Sequence, residues 1–228
     1  MSLIPKIYTN TISPFLFECF CKIGDIEELK HCRLVGGTAL SLLMGHRLSV
    51  DLDLFTDQEY GTLNFLSVNK KLNDLFKYVE TFDIRSNEIG KMFYVGNSET
   101  EAIKLDIFYT DPFISEGIFI GGNLPIASLY DVIPMKIDAV INRGSMKDFW
   151  DLHEILEHFS FKDIIGLYEQ KYPYKSIEKK EIDSIYFNLE NDYYDNIKCL
   201  KGKYWELIKY DIQCELNDFF NQNNKRRL

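Results

Sequence analysis

Apolar residues at Ile12, Phe15, Leu16, Cys19, Phe20 and Ile23 recur at helical spacing, which predicts a helix within residues 12–30 that ends near Gly24. His31 to Val35 then leads into Gly36-Gly37-Thr38, and Ala39-Leu40-Ser41-Leu42-Leu43-Met44 reads as a short apolar helix stopping near Gly45. The period changes to two across residues 50–55. Val50, Leu52 and Leu54 fall on one side and Asp51 and Asp53 on the other, the mark of a strand with two carboxylates on its outward face. Residues 63–79 return to helical spacing through Leu63, Leu66, Leu72, Leu75, Phe76 and Val79. Extended pieces follow at 82–87, 91–95 and 102–109. In the last, Ile103, Leu105 and Ile107 oppose Lys104, Asp106 and Phe108, so a third acid projects from a strand. Residues 118–120 predict an edge strand, broken by Gly121-Gly122-Asn123.

Beyond residue 128 the pattern is helical. Ser128-x-x-Asp131 resembles a capping box that opens a helix through Ile133, Ile137, Val140 and Ile141, with Pro134 inside it predicting a kink or a late start. Ser145-x-x-Asp148 repeats the signature ahead of the stripe Phe149, Leu152, Leu156 and Phe159. A last amphipathic helix runs from Tyr204 through Ile208, Ile212, Leu216 and Phe220 to the basic end Lys225-Arg226-Arg227. The expected fold is therefore α/β (α+β): a small mixed-sheet core with flanking helices over residues 1–125, then a mostly helical part over 126–228.

Composition narrows the function classes. Thirty-five acids against 26 bases give the 228-residue chain a formal charge of −9, so a generally basic surface that coats nucleic acid is excluded, and any polyanion must be met locally. No apolar run approaches the ~18 residues of a membrane span, and no signal-peptide pattern opens the chain. Five cysteines at irregular spacing read as reduced thiols, which predicts a cytoplasmic protein without membrane partners. Cys19, Cys21, His31 and Cys32 lack the spacing of a zinc site. They read instead as buried small hydrophobes.

Three features carry candidate chemistry. Gly36-Gly37-Thr38 ahead of a helix can offer backbone N–H groups and the positive end of the helix dipole to phosphate oxygens, although such a turn is often only a turn. Asp51-x-Asp53 puts two carboxylates where both reach one hard cation, although an acidic edge strand has the same pattern. Asp106 is a similar acid on another strand. A dozen residues separate the glycine turn from the acidic strand, enough for one short helix between phosphate cradle and carboxylates. Two Mg²⁺ ions about 3.5–4 Å apart, shared by Asp51, Asp53 and Asp106, would clamp the attacking and leaving oxygens of a phosphoryl or nucleotidyl transfer.

The ordered combination Leu34-Val-Gly-Gly-Thr-Ala-Leu, then Arg47-x-Ser49-x-Asp51-x-Asp53, resembles the signature of the AbiEii/AbiGii-type (MenT-like) toxin family of the polymerase-β-like nucleotidyltransferase superfamily. Met135-Lys136, Arg143 and Lys147-Asp148-x-x-Asp151-Leu152 resemble that family's second region, and the likeness spans about 34–156. The resemblance implies that Gly36, Gly37, Thr38 and Ser49 serve the nucleoside triphosphate. It further implies that Asp51, Asp53 and Asp106 bind Mg²⁺, and that Lys136 and Arg143 lend charge from the helical part to the cleft. Asp106 can also accept the proton of the attacking hydroxyl. The acceptor is an RNA, a protein or a small molecule, and a cognate antitoxin is the implied protein partner. Asp148 and Asp151, one helical turn apart, either meet the site or pair along a helix. His46, His153 and His158 read as ordinary packed or surface residues.

Two other readings stay open. A haloacid-dehalogenase-like phosphatase would use Asp51 and Asp53 as nucleophile and acid, but Phe55 departs from its motif and the Gly-Gly-Thr turn is left unexplained. A catalytically silent protein of the same fold would bind a nucleotide or a partner only.

Overall fold

The computed structural model describes residues 6–82, 89–190 and 196–225, and side chains as far as residue 219. It divides into two compact units, Met1–Ser128 and Leu129–Leu228.

In the first unit the chain forms α1 (Pro14–Ile23), β1 (Arg33–Val35), α2 (Gly36–Met44), β2 (Leu52–Thr56), α3 (Phe65–Leu75), β3 (Tyr78–Glu80), β4 (Gly90–Ser98) and β5 (Glu101–Tyr109). Ser13 caps α1, accepting from the Leu16 N–H at 3.0 Å, and Pro14 occupies the first turn, where its missing donor costs nothing. Gly45 closes α2 in the left-handed conformation, φ 72°, the usual device for ending a helix.

The five strands make one mixed sheet in the order β1-β2-β5-β4-β3. β2 and β5 run parallel, while β1 on β2, β4 on β5 and β3 on β4 are antiparallel. Strand alternation sorts the two faces. Leu52, Leu54, Phe93, Val95, Ile103, Leu105 and Ile107 are buried, and the core is completed by Leu16, Phe20 and Ile23 of α1, Leu40 and Leu42 of α2, and Phe65, Val68 and Leu72 of α3. α2 packs on β1 and β2, and α3 on β3. The other face carries Asp53, Phe55, Lys104, Asp106 and Phe108, with Met92 and Tyr94 exposed beside them.

The second unit is helical: α4 (Leu129–Asn142), α5 (Met146–Leu156), α6 (Phe161–Lys171), α7 (Lys179–Glu190) and α8 (Trp205–Lys225). α4 packs against α5, α6 and α7, and α5 against α8. Ile133, Ile137, Val140, Phe149, Leu152, Ile155, Ile164, Ile185, Ile208, Ile212 and Leu216 build the core. Gly144, at φ 57°, ends α4, and the Asn188 amide donates to the last carbonyls, Val140 at 2.9 Å and Ile141 at 3.0 Å. Among the described residues no helix is long and apolar enough to cross a membrane, and all five cysteines are free.

Several sequence expectations need correction. Val50 is two-thirds exposed because β2 begins only at Leu52, so the alternation at 50–55 starts two residues before the pairing does. The helical spacing of 63–79 overshoots: Phe76 is extended at the end of α3, and Val79 belongs to β3. Residues 118–120 form no strand, since Ile118 makes a single bridge to Ile126. α4 starts at Leu129 and runs through Pro134, so its start is not late. The piece at 82–87 lies almost wholly outside the described residues, as do Arg226 and Arg227 and the Phe220 side chain.

Candidate active site

The geometry of the first unit begins at the junction of β1 and α2. Gly36 has φ 67°, where L side chains are strained, and a Cβ built on it would lie 2.0 Å from Asp53 Oδ2. The Asp53 carboxylate thus rests on the bare α-carbon at the N-terminus of α2. Gly37 is hemmed in similarly, its Cβ falling 2.3 Å from Arg47 Nη2. Arg47 is buried, and its Nη1 also donates to the Leu48 carbonyl at 3.1 Å. The glycine pair therefore does two things: it opens the first turn of the helix, and it admits a carboxylate and a guanidinium that any larger residue would expel.

Thr38 and Ser49 hold the next piece of chain. The buried Thr38 hydroxyl donates to the Asp51 carbonyl, and its oxygen lies 2.8 Å from Ser49 Oγ. These contacts tie the start of α2 to the residues that lead into β2, which sets the position of Asp51 just before the strand. The side chains of Thr38 and Ser49 are thereby engaged within the protein; what they leave open to a ligand is the backbone at the helix N-terminus.

The parallel pairing of β2 and β5 places Asp53 and Asp106 directly opposite each other. Residues in register on neighbouring strands project on the same face about 5 Å apart. Asp106 Oδ2 accepts an ion pair from Lys104, two residues back on the same strand face, while Asp106 Oδ1 is buried with no hydrogen-bond partner. Burial alone would lower the Lys104 pKa, but the bond to Asp106 and the charges of Asp106, Asp53 and Asp51 outweigh it and raise it.

Oxygen-only donors, a helix N-terminus and a buried carboxylate oxygen without a partner fit a hard divalent cation such as Mg²⁺. The acids are aligned rather than closed on one point. Among the described residues the only group of three such side chains with ligand atoms within 4.8 Å of one another is Glu154, Glu157 and His158 in the second unit. That group is already neutralised: Glu154 pairs with Lys201, with Lys203 at 2.9 Å and with His158 at 3.4 Å, and Glu157 with Lys203 at 2.7 Å. Cys19 and Cys32 are packed in the interior, where burial pushes their thiols up to about 11 and about 12.

The second unit places Lys136 elsewhere in chemical terms. Its ammonium is buried and lies 2.9 Å from both Asp148 Oδ1 and Asp151 Oδ2. Arg143 adds a two-pronged contact, Nε to Asp148 Oδ2 at 3.0 Å and Nη2 to Oδ1 at 2.9 Å, although its side chain is 68% exposed. The Ser145 N–H and hydroxyl reach Asp148 Oδ2 at 3.1 and 2.7 Å, the cap at the start of α5. Burial would raise the Asp148 pKa, but Lys136 and Arg143 overcome it and hold the carboxyl down at about 2. Asp148 and Asp151 therefore both serve Lys136, which stands on the preceding helix.

Of the residues singled out in the sequence, the structure brings together Gly36, Gly37, Thr38, Ser49, Asp51, Asp53 and Asp106 in one unit and Lys136 and Arg143 in the other. Lys104 was missed as a participant. Its signal was present in the period of two, which puts Lys104 and Asp106 on one face of β5.

Comparison with known proteins bears on what this arrangement does. A family model described as nucleotidyl transferase AbiEii toxin, Type IV TA system, matches residues 20–196. An uncharacterized protein of Aquifex aeolicus (strain VF5) is 28% identical over 224 residues, covering 92% of this chain and 95% of its own. A Helicobacter pylori protein provisionally assigned as a nucleotidyltransferase superposes with a TM-score of 0.52 at 20% identity, over 92% of this chain and 94% of that one. The nucleotidyltransferase toxin MenT4 of Mycobacterium tuberculosis H37Rv gives 0.52 at 12% identity, over 90% and 86%. These two superpositions establish a shared fold.

Proposed function

The chain belongs to the AbiEii nucleotidyl transferase toxin family, and from that premise we propose that it moves a nucleoside monophosphate from a triphosphate to an acceptor hydroxyl at the Gly36–Asp53–Asp106 face. The observation that carries the reading is the Asp53 carboxylate seated on Gly36 at the N-terminus of α2 with Asp106 beside it in register. Phosphate cradle and acids then share one corner of one unit.

In this reading the N–H groups of the first turn of α2 hold phosphate oxygens, with no side chain on Gly36 or Gly37 to block them. Asp51, Asp53 and Asp106 hold Mg²⁺, two ions in the full site, and the metal supplies charge neutralisation for the triphosphate and the departing pyrophosphate. Arg47, buried against Gly37, adds positive potential beneath the turn. Asp106, whose Oδ1 is without a protein partner, accepts the proton as the acceptor oxygen bonds to the α-phosphorus and the bond to the β-phosphate oxygen breaks. Of Lys136 and Arg143, Lys136 is sealed against Asp148 and Asp151, and Arg143 is the one able to meet phosphate charge. Asp148 fixes both, so Arg143 presents an oriented but exposed guanidinium. The five free cysteines suit a reducing cytoplasm.

The family's description as toxins, together with MenT4, supports a toxin countered by a separately encoded antitoxin, with an RNA, a protein or a small molecule supplying the acceptor hydroxyl. The test is incubation of purified protein with Mg²⁺, each of four α-labelled triphosphates and fractionated lysate RNA, protein and metabolites. Label should pass to one fraction, and Asp53→Asn should cut the transfer at least ~100-fold, the scale of losing a main electrostatic contributor. Release of phosphate from a simple monoester would instead identify a phosphatase. Nucleotide affinity with no turnover in any fraction would identify a binding protein.

A further inference from the structure

The geometry points to Lys104 as the resident counter-ion of the acidic face, a positioning residue that occupies the cation's place in the nucleotide-free protein and competes with the divalent ion for Asp106. This rests on the reading that Asp51, Asp53 and Asp106 hold that ion.

Three observations support it. Lys104 and Asp106 share one face of β5, and the ammonium bonds Asp106 Oδ2 but leaves the buried Oδ1 without a partner. The parallel register sets Asp53 of β2 directly beside Asp106, so the ammonium stands next to a pair of carboxylates. Its side chain is about one-third exposed, so its ammonium can leave for water when displaced, which a sealed ion pair such as Lys136–Asp151 does not allow.

The ammonium offsets part of the negative charge that Asp53 and Asp106 bring together. It lowers the mutual repulsion of the acids enough to keep them in register. It also opposes a second cation, because a divalent ion must displace the ammonium and then tolerate it nearby. The consequence is weak metal binding by the protein alone and stronger binding when the metal arrives with a triphosphate, whose charge Lys104 can then help offset. The lysine thereby couples metal occupancy to nucleotide occupancy.

The experiment measures Mn²⁺ affinity on the full chain, stripped with EDTA, by titration calorimetry and by the electron paramagnetic resonance signal of the free ion. Lys104→Met should bind Mn²⁺ about tenfold more tightly than the parent. It should also melt at a lower temperature in EDTA and gain more on adding Mn²⁺. Lys104→Arg, which keeps the charge, should stay within about twofold of the parent. If Lys104→Met does not fold, Lys104→Gln carries the same expectation. Affinity unchanged or weakened in the neutral variants, with binding lost in Asp53→Asn, would overturn the lysine's role while leaving the acidic site standing. Mn²⁺ binding that Asp53→Asn leaves intact would overturn the site itself, and the lysine's role with it.

Discussion

Asp148 and Asp151 in the helical unit and Asp53 and Asp106 in the sheet unit are both pairs of partly or fully buried aspartates beside a lysine, yet they are finished to different degrees. Asp148 receives Lys136, both prongs of Arg143 and two donors from Ser145. Asp106 receives one lysine on one oxygen and nothing on the other. A carboxylate whose acceptor sites are filled by its own chain holds elements together. One left short of donors, as Asp106 is at Oδ1, invites a ligand. The comparison separates acids that build the protein from acids the protein holds ready.

The difference can be broken first on the structural side. Asp148→Ala leaves Lys136 to Asp151 and takes the shared carboxylate from Arg143 and Ser145, and should cost about 3 kcal/mol of unfolding free energy, the low end of the scale for removing one member of a buried ion pair. Denaturant titration followed by circular dichroism reads this directly. On the other side, Gly36→Ala forces a methyl group into the Asp53 carboxylate from a left-handed backbone. About 2–4 kcal/mol of destabilisation is expected, with loss of nucleotide affinity by calorimetry.

Acid sharpens the comparison further. The Asp148 pKa is held at about 2 in the folded protein, below its unfolded value, so its contribution is fully present above the unfolded pKa and is lost as pH falls towards the folded one. Stability should therefore drop between about pH 4 and pH 2 by roughly 2 kcal/mol from this group, and Asp148→Asn should remove that part of the slope. A smaller effect is expected at Ser160, whose hydroxyl accepts from the Asp163 N–H at 3.2 Å at the start of α6. Ser160→Ala should cost about 1 kcal/mol, the usual scale for a lost cap, and leave transfer unchanged.

Much of this arrangement was legible in the order of residues. The two-residue period over Leu52, Asp53 and Leu54 and over Ile103 to Ile107 assigned inward and outward faces correctly, because both strands are buried on one side only. The stripes of α5 and α8 were equally plain. Boundaries were less so, since Val50 and Val79 continue a hydrophobic period past the point where hydrogen bonding changes. That Asp53 faces Asp106 is a property of strand order: β2 and β5 are separated in sequence by α3, β3 and β4, and no local pattern announces their pairing. Nor could spacing tell that Asp148 and Asp151 belong to Lys136, on the preceding helix, since helical periodicity pairs residues only within one helix. Ser160-x-x-Asp163 would have located the start of α6 by the same signature that located α5.

The central claim is that the Asp53–Asp106 face performs transfer and is not needed to hold the fold. It is tested most directly by measuring labelled nucleotide transfer and unfolding free energy on the same preparation of Asp106→Asn. The account predicts transfer reduced at least ~100-fold with stability within about 1 kcal/mol of the parent, since only a partly exposed ion pair is lost. Transfer at the parental rate, or a loss no larger than the fraction of protein unfolded, would contradict it.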